Sequence, residues 1–232
     1  MSAIVAGRGK TLLALHGYGA NKESFLRQIR FFSRYYKVIA VDMRGFGKSP
    51  PLPYAYSLDD YAREIGRVID ATGEKKIDIL AHSFGARVAV RLLKSENRID
   101  KIVFTGAAGL KPRRSVRYGV KRALFLLLSK FLSKDRLSAF YSADYRNASP
   151  VMKESFKKII SENLDAEYAA VPNKTLLVFG KRDKETPLYA ARRMNRLMKN
   201  SRLVVIKNAG HFCFVDEPSV FNGCVLEFLL RG

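Results

Sequence analysis

Cysteine is nearly absent from this 232-residue chain: Cys213 and Cys224 are the only two, and two cannot make a disulfide framework. Long apolar runs are missing as well. The longest block, 123–128, holds six residues, against the roughly 18 that cross a bilayer. The opening MSAIVAGRGK has no charged region leading into an apolar one, so no secretory signal is expected. These absences give the expectation of a soluble, cytoplasmic protein kept under reducing conditions. No internal repeat and no low-complexity linker interrupts the chain.

Acid is scarce relative to base: 21 Asp and Glu stand against 42 Lys and Arg, a net charge of +21. Such a balance suits anionic partners. The excess is concentrated in 111–136, where nine basic residues accompany a single acid, Asp135. Neither a zinc-finger spacing nor an aromatic RNA-binding signature goes with it, so no specific nucleic acid is expected. The segment reads as a solvated helix face, with an anionic surface as the other possible partner. With hydrophobic residues at 47%, the chain has ample material for a core.

Short, almost wholly apolar runs recur at 11–15 (TLLAL), 37–41 (KVIAV), 76–80 (KIDIL), 101–105 (KIVFT), 174–179 (KTLLVF) and 202–206 (RLVVI). Runs of that kind are strands covered on both faces, and helical patterns lie between them. Ser57-Leu58-Asp59-Asp60 opens one helix as a capping box and Gly73 closes it. Pro187 and Pro218 fall where first helical turns begin. Alternating strand and helix means a mostly parallel α/β sheet of about six strands. The rhythm breaks at 107–173, which reads as helices at 118–132, 135–143 and 150–168, the last started by Ser149-Pro150. Helices inserted there read as a lid (107–173) over a core made of 1–106 and 174–232, because open α/β sheets bind ligands at the carboxyl ends of their strands.

Directly after the strand at 76–80 comes Ala81-His82-Ser83-Phe84-Gly85, followed by a helical run. This is a nucleophile elbow, G-x-S-x-G, with alanine in its first position. A tight strand-to-helix turn lifts the serine hydroxyl above the sheet, and small flanking residues let strand and helix approach. The bland alternative makes Ser83 a helix N-cap. A serine needs a base, and the chain offers only His16, His82 and His211. His82 adjoins Ser83 and points elsewhere, and His16 ends a strand. His211, in the loop after the last strand, can reach the elbow. Asp183, after the preceding strand, can orient it, where the bland reading pairs it with Lys181 or Arg182; Asp165 and Asp216 are placed less well. Two backbone N–H groups are wanted for a developing oxyanion. Phe84 follows the nucleophile, and Tyr18 lies between glycines in His16-Gly17-Tyr18-Gly19. Asp42 and Arg44 read as loop anchors, His16 and His82 as shapers of the site, and Cys213 as a small buried apolar group.

With HGYG, DMRGFGKS, AHSFGAR, GKRD and AGH in this order, the chain resembles an α/β-hydrolase-fold serine hydrolase, in the broad group of small lidded esterases and carbon–carbon bond hydrolases. The resemblance runs from His16 to Arg231. It implies Ser83 as nucleophile, Asp183 as acid, His211 as base, Tyr18 and Phe84 as oxyanion donors, and neither metal nor organic cofactor. It also implies a cap at the long helical segment, whose Leu124–Leu128 run, Phe125 and Phe131 would line an acyl pocket. The expected activity is hydrolysis of carboxylic esters of short to medium acyl chain. The alternatives are carbon–carbon cleavage of a dienone or β-diketone acid, with Arg113, Arg114 or Arg117 holding its carboxylate, and a non-catalytic ligand-binding protein on the same scaffold. The sequence departs from the family pattern in two places. Ala81 replaces a glycine, and the two strands usual before the HG strand shrink to a stub at 3–6. That leaves the strand at 37–41 near an exposed edge, which invites a homodimer.

Overall fold

Side chains alternate across a strand, so two separate cores are expected wherever helices cover both faces of a sheet. The computed structural model, which describes residues 1–111 and 148–231, has that arrangement. Seven strands form one sheet: β1 (Ala3–Ala6), β2 (Thr11–Leu15), β3 (Lys37–Val41), β4 (Ile77–His82), β5 (Ile99–Thr105), β6 (Thr175–Gly180) and β7 (Ser201–Ile206). Their spatial order is β1-β3-β2-β4-β5-β6-β7, and every pairing is parallel except β1 with β3. Leu13, Leu15, Ile79, Phe104 and Leu177 point into one core, while Leu12, Ala14, Leu80, Val103 and Leu176 point into the other.

The first core is closed by α2 (Leu58–Thr72) and α3 (Phe84–Leu92). The second is closed by α1 (Leu26–Phe32) and, at the chain's end, by the helix Pro218–Arg231. The capping box is formed: Ser57 Oγ accepts from the Asp60 N–H, and the Asp60 carboxylate accepts from the Ser57 N–H at 2.9 Å. Gly73 ends α2 in the left-handed region at φ +68°.

Three expectations are adjusted. The stub at 3–6 is a full strand: Ala3–Ala6 pairs antiparallel with β3, so 37–41 is an interior strand and β1 takes the edge. The helix expected over 150–168 is two helices, α4 (Pro150–Ser161) and α5 (Asp165–Ala169), with Glu162 extended between them. Cations on α3 hold that break: Arg87 Nη1 donates to Ile159 O at 2.8 Å and Glu162 O at 3.2 Å, and Arg91 pairs with the Glu162 carboxylate. Pro187 is the N-cap of α6 (Leu188–Leu197) rather than part of its first turn. The helices α7 (Cys213–Asp216) and α8 (Pro218–Arg231), with a 3₁₀ turn at Lys22–Phe25 before α1, complete the described elements, and Pro218 does open α8. Ser149 caps α4 by accepting from the Met152 N–H. The helices expected at 118–132 and 135–143, and all of the basic segment but Lys111, lie outside the described residues. Among the described residues no helix is long and apolar enough to cross a membrane.

One contact sets the angle at which α3 leaves the sheet. A Cβ on Gly85 would stand 2.3 Å from Leu15 O, so helix and strand backbones meet with no room for a methyl group. Gly85→Ala is expected to destabilise the fold by about 1–3 kcal/mol, the usual cost of overpacking against unyielding atoms. Urea denaturation checks this; a midpoint equal to that of the wild type would contradict the close approach.

Candidate active site

Ser83 lies at the β4–α3 junction with φ +49° and ψ −105°, the only non-glycine residue of positive φ among the described residues. Its N–H donates to Thr105 O at 3.1 Å, which ties the turn to the carboxyl end of β5. Such a conformation persists only where the surroundings over-determine it, and it is the strain an elbow serine carries. Phe84 is the first residue of α3, so its N–H is among those an α-helix leaves without an intrahelical acceptor. Ala81 is fully buried in β4, between Leu15 of β2 and Phe104 of β5.

Asp183 and His211 come from the loops after β6 and β7. His211 Nδ1 lies 2.9 Å from Asp183 Oδ2. The other bonds to this carboxylate come from its own turn. Oδ1 accepts the N–H groups of Glu185 and Thr186, both at 2.8 Å, and Oδ2 accepts the Thr186 hydroxyl at 2.7 Å. Burial opposes its ionisation, but the bonds from His211 and Thr186 outweigh that and hold Asp183 below the usual carboxylate range. The pairing with Lys181 or Arg182 is not the one formed. Asp165 pairs with Arg193, and Asp216 accepts the Gly210 N–H at 2.8 Å, fixing the loop that carries His211. Glycines admit that loop. A Cβ on Gly180 would stand 2.1 Å from Gly210 O, and one on Gly106 would stand 3.0 Å from the His211 ring.

The loop after β2 closes the site from the other side. His16 is fully buried; its Nε2 accepts the Met43 N–H at 3.1 Å, so Nδ1 carries the proton and donates to Gly17 O at 2.7 Å. Gly17 backs onto the elbow: a Cβ there would be 2.9 Å from His82 Cδ2 and 3.5 Å from Ser83 Cβ. Tyr18 follows, its ring packed edge-on against Phe46 and Phe84 and its hydroxyl donating to Met152 O of α4 at 3.1 Å. Asp42 anchors the next loop, as its position suggests. It is fully buried and accepts from the Lys22 ammonium at 2.6 Å and the Lys48 N–H at 2.8 Å. Arg44 pairs with Glu64 at 2.7 Å. Cys213 is buried against the Thr105 hydroxyl, and burial pushes its thiol up to about 12, outside nucleophilic use.

Two neighbours of the site were not legible in the sequence. Thr186 sits 3.3 Å from His211 Nδ1 as well as on Asp183. Glu185 brings Oε2 to 3.4 Å from His211 Nε2, with a side chain 69% exposed. His82, read from the sequence as a shaper of the site, packs its ring against His211 at an interplanar angle of 52°, with ring centroids 4.6 Å apart. The short turn Asp183-Lys184-Glu185-Thr186 was the available signal for the first two. Two cavities adjoin. One of about 250 Å³ is lined by Arg87, Gly109, Lys111, Thr186, Tyr189 and Arg193. An apolar one of about 480 Å³ lies between the Tyr18 loop and α4, lined by Tyr18, Phe46, Leu52, Val151 and Met152. The acyl-pocket candidates Leu124–Leu128, Phe125 and Phe131, and the carboxylate candidates Arg113, Arg114 and Arg117, lie outside the described residues.

His82 donates from Nδ1 to Thr105 O at 3.0 Å, and burial pushes it down to about 3 from an ordinary 6.5. Burial lowers His16 as well. His82 stays neutral in the folded chain from 6.5 down to about 3 while the unfolded chain takes up a proton, so acidification across that window removes stability, and His16 acts in the same direction. Asp78, raised by burial, acts in the opposite sense at the acid end of that window. His82→Asn keeps a donor for Thr105 O and removes one titration. The slope of unfolding free energy against pH is expected to fall by about 0.7 kcal/mol per unit at pH 6.5 and by about 1.4 kcal/mol per unit near pH 4.5. Denaturant titrations read this, and equal slopes in the two proteins would contradict it.

Comparison with known proteins gives the family to which this fold belongs. The model of the alpha/beta hydrolase family matches residues 12–223. The 2-hydroxy-6-oxo-6-(2'-aminophenyl)hexa-2,4-dienoic acid hydrolase of Metapseudomonas resinovorans is 30% identical over 97% of this chain and 86% of its own. The pimeloyl-[acyl-carrier protein] methyl ester esterase of Aliivibrio fischeri is 25% identical over 96% of this chain and 95% of its own. Among solved structures, a serine hydrolase involved in carbazole degradation superposes with a TM-score of 0.78 at 26% identity, covering 99% of this chain and 94% of that one. An elbow with a strained serine, a histidine held by a buried aspartate, and a family match across nearly the whole length place this chain in the alpha/beta hydrolase family.

Proposed function

We propose that the chain is a serine hydrolase that cleaves carboxylic esters of short to medium acyl chain through an acyl-enzyme. The observation that carries the reading is the Asp183–His211 bond of 2.9 Å beside an elbow serine at φ +49°. In this reading Ser83 Oγ attacks the ester carbonyl while His211 Nε2 takes its proton. The N–H groups of Tyr18 and Phe84 hold the tetrahedral oxygen, where a single such donor is worth about 10²–10³ in turnover. His211 then protonates the departing alcohol and activates the water that releases the acid. Asp183 fixes the tautomer and stabilises the imidazolium. For this cycle Nε2 exchanges its 3.4 Å approach to Glu185 for the serine, and the exposure of the Glu185 side chain makes the exchange easy.

Residues 107–173 act as the lid over a core of 1–106 and 174–232. The support is that α4, within this range, already lies on the Tyr18 loop: Tyr18 packs on Phe156 at 4.6 Å and bonds Met152 O. The apolar cavity between the two is the acyl site, and its size favours chains of modest length.

A second reading has its own support. The cavity lined by Arg87, Lys111 and Arg193 borders Thr186, beside His211, and suits an acidic substrate group. A relative at 30% identity carries the name of a dienoic acid hydrolase. Cleavage of a carbon–carbon bond in a dienone acid would use the same three side chains.

A panel of p-nitrophenyl acyl esters, run against a dienone acid with Ser83→Ala as blank, separates the readings. Ester turnover falling by at least about 10³-fold in Ser83→Ala is the expected result, since loss of the nucleophile removes the covalent route. Turnover of the dienone acid alone selects the second reading. No serine-dependent turnover of either points to a ligand-binding protein instead.

A further inference from the structure

At the end of the sheet away from Ser83, four cations from separate stretches of chain converge on one groove of about 420 Å³. Lys174 precedes β6, Lys199 follows α6, Arg202 lies on β7, and Arg231 ends α8. Several cations elsewhere are matched by acids: Lys10 lies between Asp78 and Asp100, Arg91 among Asp59, Glu162 and Glu167, and Arg98 between Asp70 and Glu96, while Arg87 is satisfied by backbone carbonyls. In the groove none of the four makes an ion pair among the described residues, and the one acid in the lining, Glu227, makes none either. The carboxyl ends of α6 and α8 account for a cation at Lys199 and Arg231. Nothing of that kind accounts for Lys174 and Arg202.

The register makes those two a pair. Leu176 stands opposite Arg202 on the face of the sheet that α8 covers, and Lys174 immediately precedes β6, two residues before Leu176. Strand spacing and rise put the backbones of such positions about 8 Å apart, close enough for two long cationic side chains to converge on one anion. Like charges so placed repel unless an anion lies between them. The rim is held by bonds of its own: Asn200 Nδ2 donates to Pro172 O at 2.8 Å and Ser201 Oγ to Met198 O at 2.8 Å, so the cationic side chains stand on a fixed frame.

We propose that this groove is a binding site for a phosphomonoester dianion, held between Lys174 and Arg202 and flanked by Lys199 and Arg231. Three net positive charges around a concave floor exceed what a single carboxylate needs and match a phosphate. The phosphate belongs either to a soluble small molecule or to a lipid headgroup, for which Leu230, 58% exposed beside Arg231, offers an apolar neighbour. The site is independent of the catalytic reading: Asp183 and His211 follow the carboxyl ends of β6 and β7, and the groove lies at their amino ends.

Calorimetric titration with inorganic phosphate and glycerol 3-phosphate, and co-sedimentation with vesicles containing phosphatidic acid, test it on the full chain. Lys174→Glu/Arg202→Glu is compared with Arg27→Glu/Arg30→Glu, which makes the same change in net charge on α1. Saturable binding is expected in the wild type and the α1 control, weakened at least about tenfold in the groove variant. Thermal melting shows that both variants fold. Binding of the soluble esters assigns the phosphate to a small molecule. Binding of phosphatidic acid vesicles alone, with none to neutral phosphatidylcholine vesicles, assigns it to lipid. Absence of binding to any probe, or equal loss in both variants, would overturn the site. So would retention only of a single-stranded oligonucleotide, bound equally by the groove variant.

Discussion

The close approach of α3 to the end of β2 governs everything at the working face. Because Gly85 has no side chain to meet Leu15 O, the helix starts immediately after β4 and the chain turns within one residue. Ser83 takes up that turn at a positive φ that no other non-glycine residue among those described adopts. The strain is held by the Ser83 N–H bond to Thr105 O and by the core beneath α3, where Phe84, Ala86, Val88 and Ala89 are buried. A backbone fixed in this way sets where the Cβ of Ser83 stands above the sheet, which is the pre-organisation the proposed chemistry calls for.

The second constraint is the set of buried polar groups around that turn. His16 and His82 are neutral spacers with defined tautomers, each donating from Nδ1 to a backbone carbonyl. They hold the loop of Tyr18 and the ring of His211 in place. Asp42 does the same for the following loop, accepting from Lys22 and Lys48. The aspartate that contacts His211 differs from Asp42 in having a titratable ring as its partner, which is why the same residue type serves as an anchor in one loop and in the proposed chemistry in the other.

Much of this was legible in the sequence for physical reasons. Apolar runs covered on both faces leave a strong signal, and six of the seven strands were found where 11–15, 37–41 and their counterparts read. The four-residue β1 was read only as a stub, because AIVA is too short to separate from a loop by periodicity. The motif order brought Ser83, Asp183 and His211 to one end of the sheet, as expected of loops that follow parallel strands. The break in the helix at Glu162 left no local signal, since it depends on Arg87 and Arg91, some 70 residues earlier in the chain. The same holds for Glu185, whose approach to His211 depends on how the Asp183 turn folds back.

The central claim is that one hydroxyl, at Ser83, is made nucleophilic by His211. Reaction with a fluorophosphonate, followed by peptide mass mapping, tests it most directly. A single adduct on the peptide carrying Ser83, formed slowly or not at all in His211→Ala, is the predicted result. Labelling at another residue, or labelling of Ser83 at an unchanged rate without the imidazole, would contradict the account.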